Sequence, residues 1–548
     1  MLLGAGSLIL AACNDFLDEL PDNRTELDTP DKINRLLVSA YPSRSFTRMC
    51  EIASDNCDDM GANNPNTSLL LEHNSYWMDM NEAENDSNKN TWQAYSAIAA
   101  ANTALEAIEK QGTPKELLPA KAEALLCRAY SHFCLTMLYC LPYHPEKSGE
   151  YLGVPYMEAP ETTLNPVYHR DNLKEVYEKI DRDIEEALPL VSDVNYAVPK
   201  YHFNRSAAYA FATRFNLYYL KWEKVVEYAS EVLGSAPSTV MRDWAAVKQL
   251  AWDGSVRTLD YISVGHSFNL LMIPMVTGNG SLFNAWSNSG ARFTHNYRVA
   301  KRETYRAKRP MGGPWDRWKD NCIEKVYQHP PFIWQDNDVN KIYMPKWPNQ
   351  WEVTDPVTGV GIGRSTMVAF TTNETVLSRA EAYVHLKEYD KAVADLNAWI
   401  GSFYLVGQNG IESLTRERIA EVYGDPSSNR YIAEYTALEP TSRKPLHPHG
   451  FTVEAGEQEH LIQTTLFCRR IETIADGLRW GDIKRYGIVI DRFDDSAYND
   501  DNTTGFTVAA TLGEKDLRRA LQLPQEVITA GLEANPRNEN RPDHPFCQ

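Results

Sequence analysis

Tryptophan and tyrosine side chains in polar, irregular stretches are the residues of this sequence best suited to binding chemistry. Each ring offers a flat, rigid apolar surface, and neighbouring Asn, Asp or Arg side chains can hydrogen-bond hydroxyl groups. A sugar ring has both an apolar C–H face and a rim of hydroxyls, so stacking on such rings is the predicted chemistry. The six candidate ligand-binding rings are Tyr76, Trp77, Trp286, Trp315, Trp318 and Trp334. Packing in the core or in a loop is the alternative for each ring, and we predict that at least one of the six stacks on the ligand.

The motifs of common enzymes do not occur in the sequence, which contains no HExxH, no GxSxG and no P-loop. The glycine-rich run 359–363 lacks a third spaced glycine after Gly363 and is predicted to be a flexible turn. Residues 336–347 resemble a calcium loop, but Lys341 and Trp347 replace its glycine and its closing glutamate. We therefore predict no catalytic residues and no cofactor, and the sequence leaves open whether a metal is bound.

Composition and charge exclude further classes of partner. The chain has 548 residues, of which 43% are hydrophobic and 24% charged, as in an ordinary globular protein. Its net charge is −19, so its surface would repel nucleic acid and anionic lipid headgroups. We therefore predict no nucleic-acid partner.

The N-terminus carries a predicted export signal. Residues 1–12 form an apolar run too short to span a bilayer, and Leu10-Ala11-Ala12-Cys13 resembles a bacterial lipobox. We predict a signal peptide over 1–12, lipidation of Cys13, and acidic residues after it that resemble a signal for the cell surface. A buried N-terminal helix is the alternative. No later stretch is apolar enough to cross a membrane, so we predict a lipid-anchored protein.

The nine cysteines predict buried thiols rather than a disulfide framework. Those at 127, 134, 140 and 468 fall in apolar helical stretches, where a thiol behaves as a small hydrophobic group. Cys50 and Cys57 form the one pair considered for a local disulfide. No CxxC occurs, which disfavours the common zinc and redox sites.

Helices must position the predicted rings, because apolar residues at three- and four-residue spacing dominate both ends of the chain. The helical scaffold is predicted at about 27–240, 374–400 and 460–487. Four tryptophans on or beside these helices are assigned to the core: Trp92, Trp222, Trp399 and Trp480. Within or between these segments, the polar stretches 56–90 and 402–459 are predicted to be loops.

A weak internal repeat lies within the scaffold. Trp222-x-x-Val225 superimposes on Tyr389-x-x-Ala392, and each follows an Ala-rich helix. A ring, a small residue and an aliphatic at these offsets resemble a tetratricopeptide unit. The two units are 389 − 222 = 167 residues apart, so insertions must interrupt the array. Unrelated helical hairpins are the alternative.

The segment of about 241–372 is predicted to be an irregular insertion in a single domain spanning 13–548. Helical periodicity fades here, Gly, Pro and Asn become frequent, and Thr366–Phe370 is the clearest strand-like run. The segment holds eight of the thirteen tryptophans. Long irregular segments in compact proteins are usually functional, so we predict that the insertion binds the ligand.

The stretch 461–487 is predicted to organise the fold. Its apolar residues line one face of a helix, and Gly477 indicates that another element packs close to the backbone. The charged side chains on the opposite face are predicted to point outward: Arg469, Arg470, Glu472 and Asp476.

The pattern RRxE, then acid-Gly, then RWxDIxR in this stretch resembles the C-terminal signature of the SusD/RagB-like family of outer-membrane nutrient-binding lipoproteins. It departs from the family at 473–475. The tail 510–548 contains Leu523–Ile528 and Asn535-Pro536-Arg537, which resemble the family's LPxxEI and NPxxxQN ending. With the lipobox, these matches cover both ends of the chain.

The resemblance implies an all-α-dominated fold, with tetratricopeptide-like hairpins in a right-handed superhelical scaffold and short strands in the insertion. It also implies a lipoprotein on the outer-membrane surface that captures an oligosaccharide. The protein would act as the lid of a SusC-like TonB-dependent barrel transporter and deliver the ligand to it. A RagB-like lid that binds peptide is the alternative, and a surface glycosidase is disfavoured by the missing motifs.

Overall fold

The computed structural model describes residues 26–64, 67–79, 91–163, 166–251, 254–284, 291–315, 324–329, 332–336, 339–343, 346–495 and 506–538. The α-helices are α1 (Pro30–Leu37), α2 (Thr47–Ala53), α3 (Leu69–Ser75), α4 (Ala94–Lys110), α5 (Leu118–Tyr139), α6 (Leu173–Ala187), α7 (Arg205–Tyr218), α8 (Trp222–Leu233), α9 (Trp244–Lys248), α10 (Gly254–Tyr261), α11 (Asn279–Asn284), α12 (Tyr297–Glu303), α13 (Thr372–His385), α14 (Tyr389–Phe403), α15 (Arg416–Gly424), α16 (Glu457–Glu472), α17 (Arg479–Arg485) and α18 (Gln525–Thr529). The strands are β1 (Asp58–Asp59), β2 (Asn269–Val276), β3 (Phe293–Thr294), β4 (Phe332–Asp336), β5 (Val339–Tyr343), β6 (Gln350–Asp355), β7 (Val360–Thr371), β8 (Ile490–Asp494) and β9 (Thr507–Leu512).

Helical hairpins form the body of the protein and confirm the helix-dominated fold. Helix α4 packs on α5, α7 on α8, and α13 on α14. The two units of the predicted repeat are the hairpins α7–α8 and α13–α14, and α13 packs directly against α8. Ala208 and Ala380 are fully buried in these hairpins, where small side chains allow helices to approach closely. Units that are distant in sequence are thus neighbours in the helix stack.

The insertion leaves and rejoins this stack at one place. The Thr372 hydroxyl donates a hydrogen bond to the Val240 carbonyl at 2.7 Å, and the Arg242 amide donates to the Asn373 side chain at 2.9 Å. The predicted strand-like run lies within β7, which is the central strand of the antiparallel sheet β2–β7–β6. A second sheet has the order β3–β1–β8–β9, and β4 and β5 form a hairpin.

The predicted helix 461–487 is two helices, because α16 ends at Glu472 and α17 begins at Arg479. Between them Ala475 and Gly477 adopt φ values of +67° and +75°. A Cβ on Gly477 would lie 2.9 Å from the Thr47 Cα, so helix α2 does pack against this backbone as predicted. The Glu51 carboxylate from α2 accepts the Ala475 and Gly477 amides at 2.8 and 3.0 Å.

The charged side chains of this stretch are not outward, and that prediction is wrong. Arg469, Arg470 and Glu472 are buried, and Asp476 is half-buried against Lys346. They are buried because partners from distant segments neutralise and hydrogen-bond them, which an isolated helix pattern does not show.

One buried ion cluster links this stretch to the N-terminal part of the chain. Asp55 receives two hydrogen bonds from Arg479 at 2.8 and 2.9 Å, and Arg470 donates to its backbone carbonyl. Arg470 also pairs with Glu303 at 3.0 Å. Although burial alone would raise the pKa of Asp55, Arg470 and Arg479 hold that pKa well below its ordinary value.

Several local predictions are corrected by the structure. The stretches 56–90 and 402–459 are not wholly loops, since they contain α3 and α15. Cys50 and Cys57 are free and buried, so the local disulfide is not formed. The core assignment holds for Trp399 and Trp480, which are fully buried.

The C-terminal tail is tied to helix α5. Asn535, of the predicted terminal motif, donates through its side chain to the Tyr139 carbonyl at 2.8 Å. The next residue but one, Arg537, pairs with Asp79 at 2.8 Å. These contacts explain why the Asn535-Pro536-Arg537 ending suits this fold.

Candidate functional site

Tyr76 and Trp77, two of the six predicted ligand rings, are buried in the core. The Tyr76 hydroxyl donates to Asp59 at 2.6 Å, and the Trp77 indole N–H donates to the Ala53 carbonyl at 2.8 Å. The Arg492 guanidinium lies 5.2 Å from the centre of the Trp77 ring. Neither ring face is open to a ligand, so the structure corrects the prediction that they form a binding platform.

Trp315, another of the six candidate rings, is exposed, with 38% of its surface accessible. It follows Gly312 and Gly313, whose φ values of +80° and +87° turn the chain sharply. Arg309 fixes this turn by donating to the carbonyls of Gly312 and Pro314 at 3.3 and 2.9 Å. The indole of Trp315 is therefore presented on a braced loop.

A lysine lies beside this ring. The Lys308 ammonium is 5.1 Å from the centre of the Trp315 ring and donates to the carbonyls of Asn429 and Tyr431 at 3.2 Å. The cation–π contact and the two hydrogen bonds hold the ammonium in place. The surface therefore combines an apolar ring with a fixed hydrogen-bond donor, which is the pairing that a sugar requires.

The remaining predicted contacts fall outside what the structure describes. Trp286 and Trp318 lie outside the described residues, as do Cys13 and the signal peptide 1–12. Trp334 belongs to β4, but its side chain is not among those described. Their roles in ligand binding and lipidation stay predictions.

A second exposed indole was missed by the sequence analysis. Trp351, on strand β6, is 63% exposed, and of the tryptophan side chains that the structure describes only this one and Trp315 are exposed. The run 359–363 is not a flexible turn throughout, because Gly361 and Gly363 belong to β7 and pair with Val353 and Trp351. A Trp facing glycines across a hairpin is the signal that could have pointed to this position.

A groove of about 500 Å³ is the third surface able to hold a ligand. It lies between α4, the segment 155–168 and the C-terminal segment 526–532. Trp92, which was assigned to the core, is half-buried and lines the groove beside Tyr95, with their ring centres 5.0 Å apart. The other lining side chains are mostly aliphatic, and two are acidic: Glu161 and Glu526.

Polar groups in this groove already have partners within the protein. The Asn102 amide donates to the Met157 and Ala159 carbonyls and accepts from Arg128 at 3.0 Å. The Tyr95 hydroxyl donates to the Pro155 carbonyl at 2.8 Å. Burial, followed by the Glu161 carboxylate, raises the pKa of Tyr168 to about 12. The groove is thus largely apolar, with a negative rim.

Comparison with known proteins shows which proteins the chain resembles. Residues 15–217 match a SusD-like family model that is described as starch-binding and associating with the outer membrane. A SusD superfamily protein of Bacteroides thetaiotaomicron shares the fold with a TM-score of 0.60 and 17% identity, over 92% of this chain and 98% of that chain. The N-terminal part of the chain is thus similar to the SusD-like family, and the whole chain has a fold like that of a SusD superfamily protein.

Two further solved structures resemble this protein. A putative sugar binding protein of Bacteroides vulgatus is 18% identical, with a TM-score of 0.59 over 94% of this chain and 99% of that chain. A SusD-like carbohydrate binding protein of the same species is 16% identical, with a TM-score of 0.55 over 88% of each chain. At these identities the likenesses establish the fold. No curated protein matches the sequence.

Two features do not occur in the described part of the protein. It contains no group of three or more His, Cys, Asp or Glu side chains that could hold a metal ion. It also contains no helix long and apolar enough to cross a membrane.

Proposed function

We propose that this protein is a SusD-like cell-surface lipoprotein that captures an oligosaccharide and delivers it to a SusC-like TonB-dependent transporter, whose lid it forms. The observation that carries the proposal is the match of residues 15–217 to a family described as starch-binding and associating with the outer membrane. Two proteins of similar structure, one described as a putative sugar binding protein and the other as a carbohydrate binding protein, support it.

Trp315 is the residue that we assign to ligand stacking. Its exposed ring can cover the C–H face of one sugar unit, while the ammonium of Lys308 can donate to a hydroxyl at the edge of that unit. Because Gly312, Gly313 and Arg309 brace the loop, little ordering is needed on binding, which limits its entropic cost. The work assigned to the protein is capture, with no bond broken.

A binding screen tests the glycan proposal. A form of the chain beginning at Asn14 is run in affinity electrophoresis against soluble starch, xylan, arabinogalactan and inulin. We expect retardation by at least one glycan, an affinity at least threefold lower for Trp315→Ala, and no sugar products after hours of incubation. Tyr201→Ala removes a ring of similar exposure elsewhere and should bind as the wild type does. Retardation by no glycan, or release of shorter sugars, would refute the proposal.

The lining of the groove is the observation that favours the alternative function, peptide binding. Its aliphatic lining suits apolar side chains, and Glu161 and Glu526 would favour a nearby basic residue. If this alternative is correct, a library of peptides that pair Leu or Phe with Lys should bind, and Val527→Asp should abolish that binding. Glycan binding with no peptide binding would exclude it.

The anchor and the transporter are tested in cells. Cys13→Ser should release the protein from the outer membrane, whereas Cys50→Ser, a buried thiol elsewhere, should leave it attached. Purification of a tagged chain from detergent-solubilised membranes should recover a barrel transporter. Recovery of the chain alone from membranes of glycan-fed cells would contradict the lid role.

A further inference from the structure

We propose that Trp351 is a second saccharide-stacking residue, placed beside a strip of side-chain-free backbone formed by Gly361, Gly363 and Gly278. This inference rests on the proposed function, glycan capture, and assigns to that function a contact site on the hairpin β6–β7, away from the turn that carries Trp315.

The indole of Trp351 lies along the neighbouring strand. Strand β6 is an edge of the sheet β2–β7–β6, and Trp351 pairs with Gly363 while Val353 pairs with Gly361. Residues paired across antiparallel strands share a face, so all four positions belong to one face of the hairpin. The Trp351 Nε1 atom lies 2.7 Å from the place that a Cβ on Gly361 would occupy. The Glu352 carbonyl oxygen lies closer still, at 2.2 Å, so both the strand backbone and the ring require glycine at this position.

The bare strip continues from β7 toward β2. A Cβ on Gly363 would lie 2.8 Å from the Thr277 carbonyl oxygen and 3.7 Å from the Gly278 Cα. The Thr277 amide donates to the Gly363 carbonyl at 3.0 Å, which keeps the two backbones together. A sugar ring stacked on Trp351 would therefore extend over backbone rather than meet side chains.

Polar groups lie at the far end of the strip. The Arg48 Nη1 atom is 3.4 Å from the place that a Cβ on Gly278 would occupy. The side chain of Asn279, the next residue, is fully buried, and neither its oxygen nor its nitrogen has a hydrogen-bond partner among the described residues. An amide in this state can donate a hydrogen bond to a ligand hydroxyl and accept one from it. The Trp351 ring, the glycine strip and these polar groups therefore follow one another along a line that a sugar chain could occupy.

Packing alone does not account for Trp351. A tryptophan that served only to cover glycines would turn most of its surface to the protein, yet 63% of this side chain is exposed. Its indole N–H has no hydrogen-bond partner among the described residues, whereas those of Trp77, Trp347 and Trp399 are bonded. One ring face and one donor of Trp351 thus remain available.

Three substitutions at Trp351 distinguish stacking on a sugar ring from mere covering of the glycines in β7. We expect Trp351→Ala and Trp351→Leu each to weaken binding to the retarding glycan by about threefold to tenfold, and Trp351→Phe to keep most of it. Leu still covers the glycines but lacks a flat ring, so its loss identifies stacking. Val357→Ala, at the exposed tip of the same hairpin, is the control and should bind as the wild type does.

The outcomes keep this inference distinct from the proposed function. Unchanged affinity in Trp351→Ala, with weakened affinity in Trp315→Ala, would overturn the inference alone. Equal weakening by Trp351→Ala and Val357→Ala, together with loss of a co-purified transporter, would also overturn it and assign the hairpin to a protein partner. If no glycan binds the wild type, both proposals fall.

Discussion

Substitution of Gly477 by alanine should destabilise the protein through a backbone contact that no side-chain adjustment can relieve. At φ +75° an L-residue pays about 1–2 kcal/mol. The added Cβ would also meet the Thr47 Cα and carbonyl oxygen, each at 2.9 Å, and the Cys50 Cβ at 3.1 Å. Overpacking of this kind costs about 1–3 kcal/mol. The expected loss is therefore about 2–5 kcal/mol.

Gly410→Ala is the matched control for this prediction. Gly410 has a φ of +76°, but a Cβ there would meet nothing within 4 Å, so it pays only for the backbone conformation. The two variants should differ by about 1–3 kcal/mol, all of it steric. At about 2.1 cal/mol/K per residue, a chain of 548 residues loses roughly 1 °C of Tm per kcal/mol.

Scanning calorimetry of the wild type and both variants decides the matter. We expect the Tm of Gly477→Ala to lie about 1–3 °C below that of Gly410→Ala. Equal Tm values for the two variants would show that α2 does not press on this backbone. The reasoning about the break between α16 and α17 would then be refuted.

Three further predictions concern buried charge. Asp55→Asn leaves Arg470 and Arg479 without their carboxylate and should cost about 3–5 kcal/mol, whereas Glu454→Gln, in an exposed pair with Lys387, should leave the Tm unchanged. Because the pKa of Asp55 is held below its ordinary value of 3.8, its contribution is present above that pH and is lost as pH falls through the lower, folded value. The Tm gap between wild type and Asp55→Asn should therefore shrink below about pH 4, and a constant gap down to pH 2 would refute the assignment. Burial, then Asp58, raises the pKa of Asp495 from 3.8 to about 8, so stability is lost as pH rises between these values. Asp495→Asn should gain in Tm relative to the wild type from pH 5 to pH 8.5, and a gain that does not grow with pH would contradict the shift.

The scaffold could be predicted from sequence because its signal is local. Helical periodicity and alanine-rich packing faces act over three or four residues, and they located the helices of the hairpins α7–α8 and α13–α14. Gly477 likewise predicted that another element packs close to its backbone, but the sequence did not identify that element as helix α2. These features are set by residues that are close together in the sequence.

Burial of charge could not be predicted in this way. Arg470 pairs with Glu303, which is 167 residues away, and Arg479 with Asp55, which is 424 away. A charged residue on a helix is expected to face solvent unless such a partner is known. The burial of Trp77 could not be predicted for the same reason. Its neighbours in sequence are polar, but its ring packs beside the distant Arg492.

The candidate site depends on exposure, which sequence reports poorly. Trp315 and Trp351 both lie in the irregular insertion, and only the described structure separates them from buried Trp347, four residues before the second. Trp351 was overlooked because its glycine partners were assigned to a turn. Pairing across a hairpin, rather than composition, reveals it.

The two hydrogen bonds that join Val240 to Thr372 and Arg242 to Asn373 bring the ends of the insertion together. A segment whose ends meet can lengthen, shorten or change its rings without altering the spacing of the helices that it interrupts. The helix stack can therefore stay the same while the insertion, about 241–372, differs between proteins of this fold. If the insertion of one such protein is replaced by that of another, with the junctions at these paired residues, the ligand preference should change to that of the donor protein.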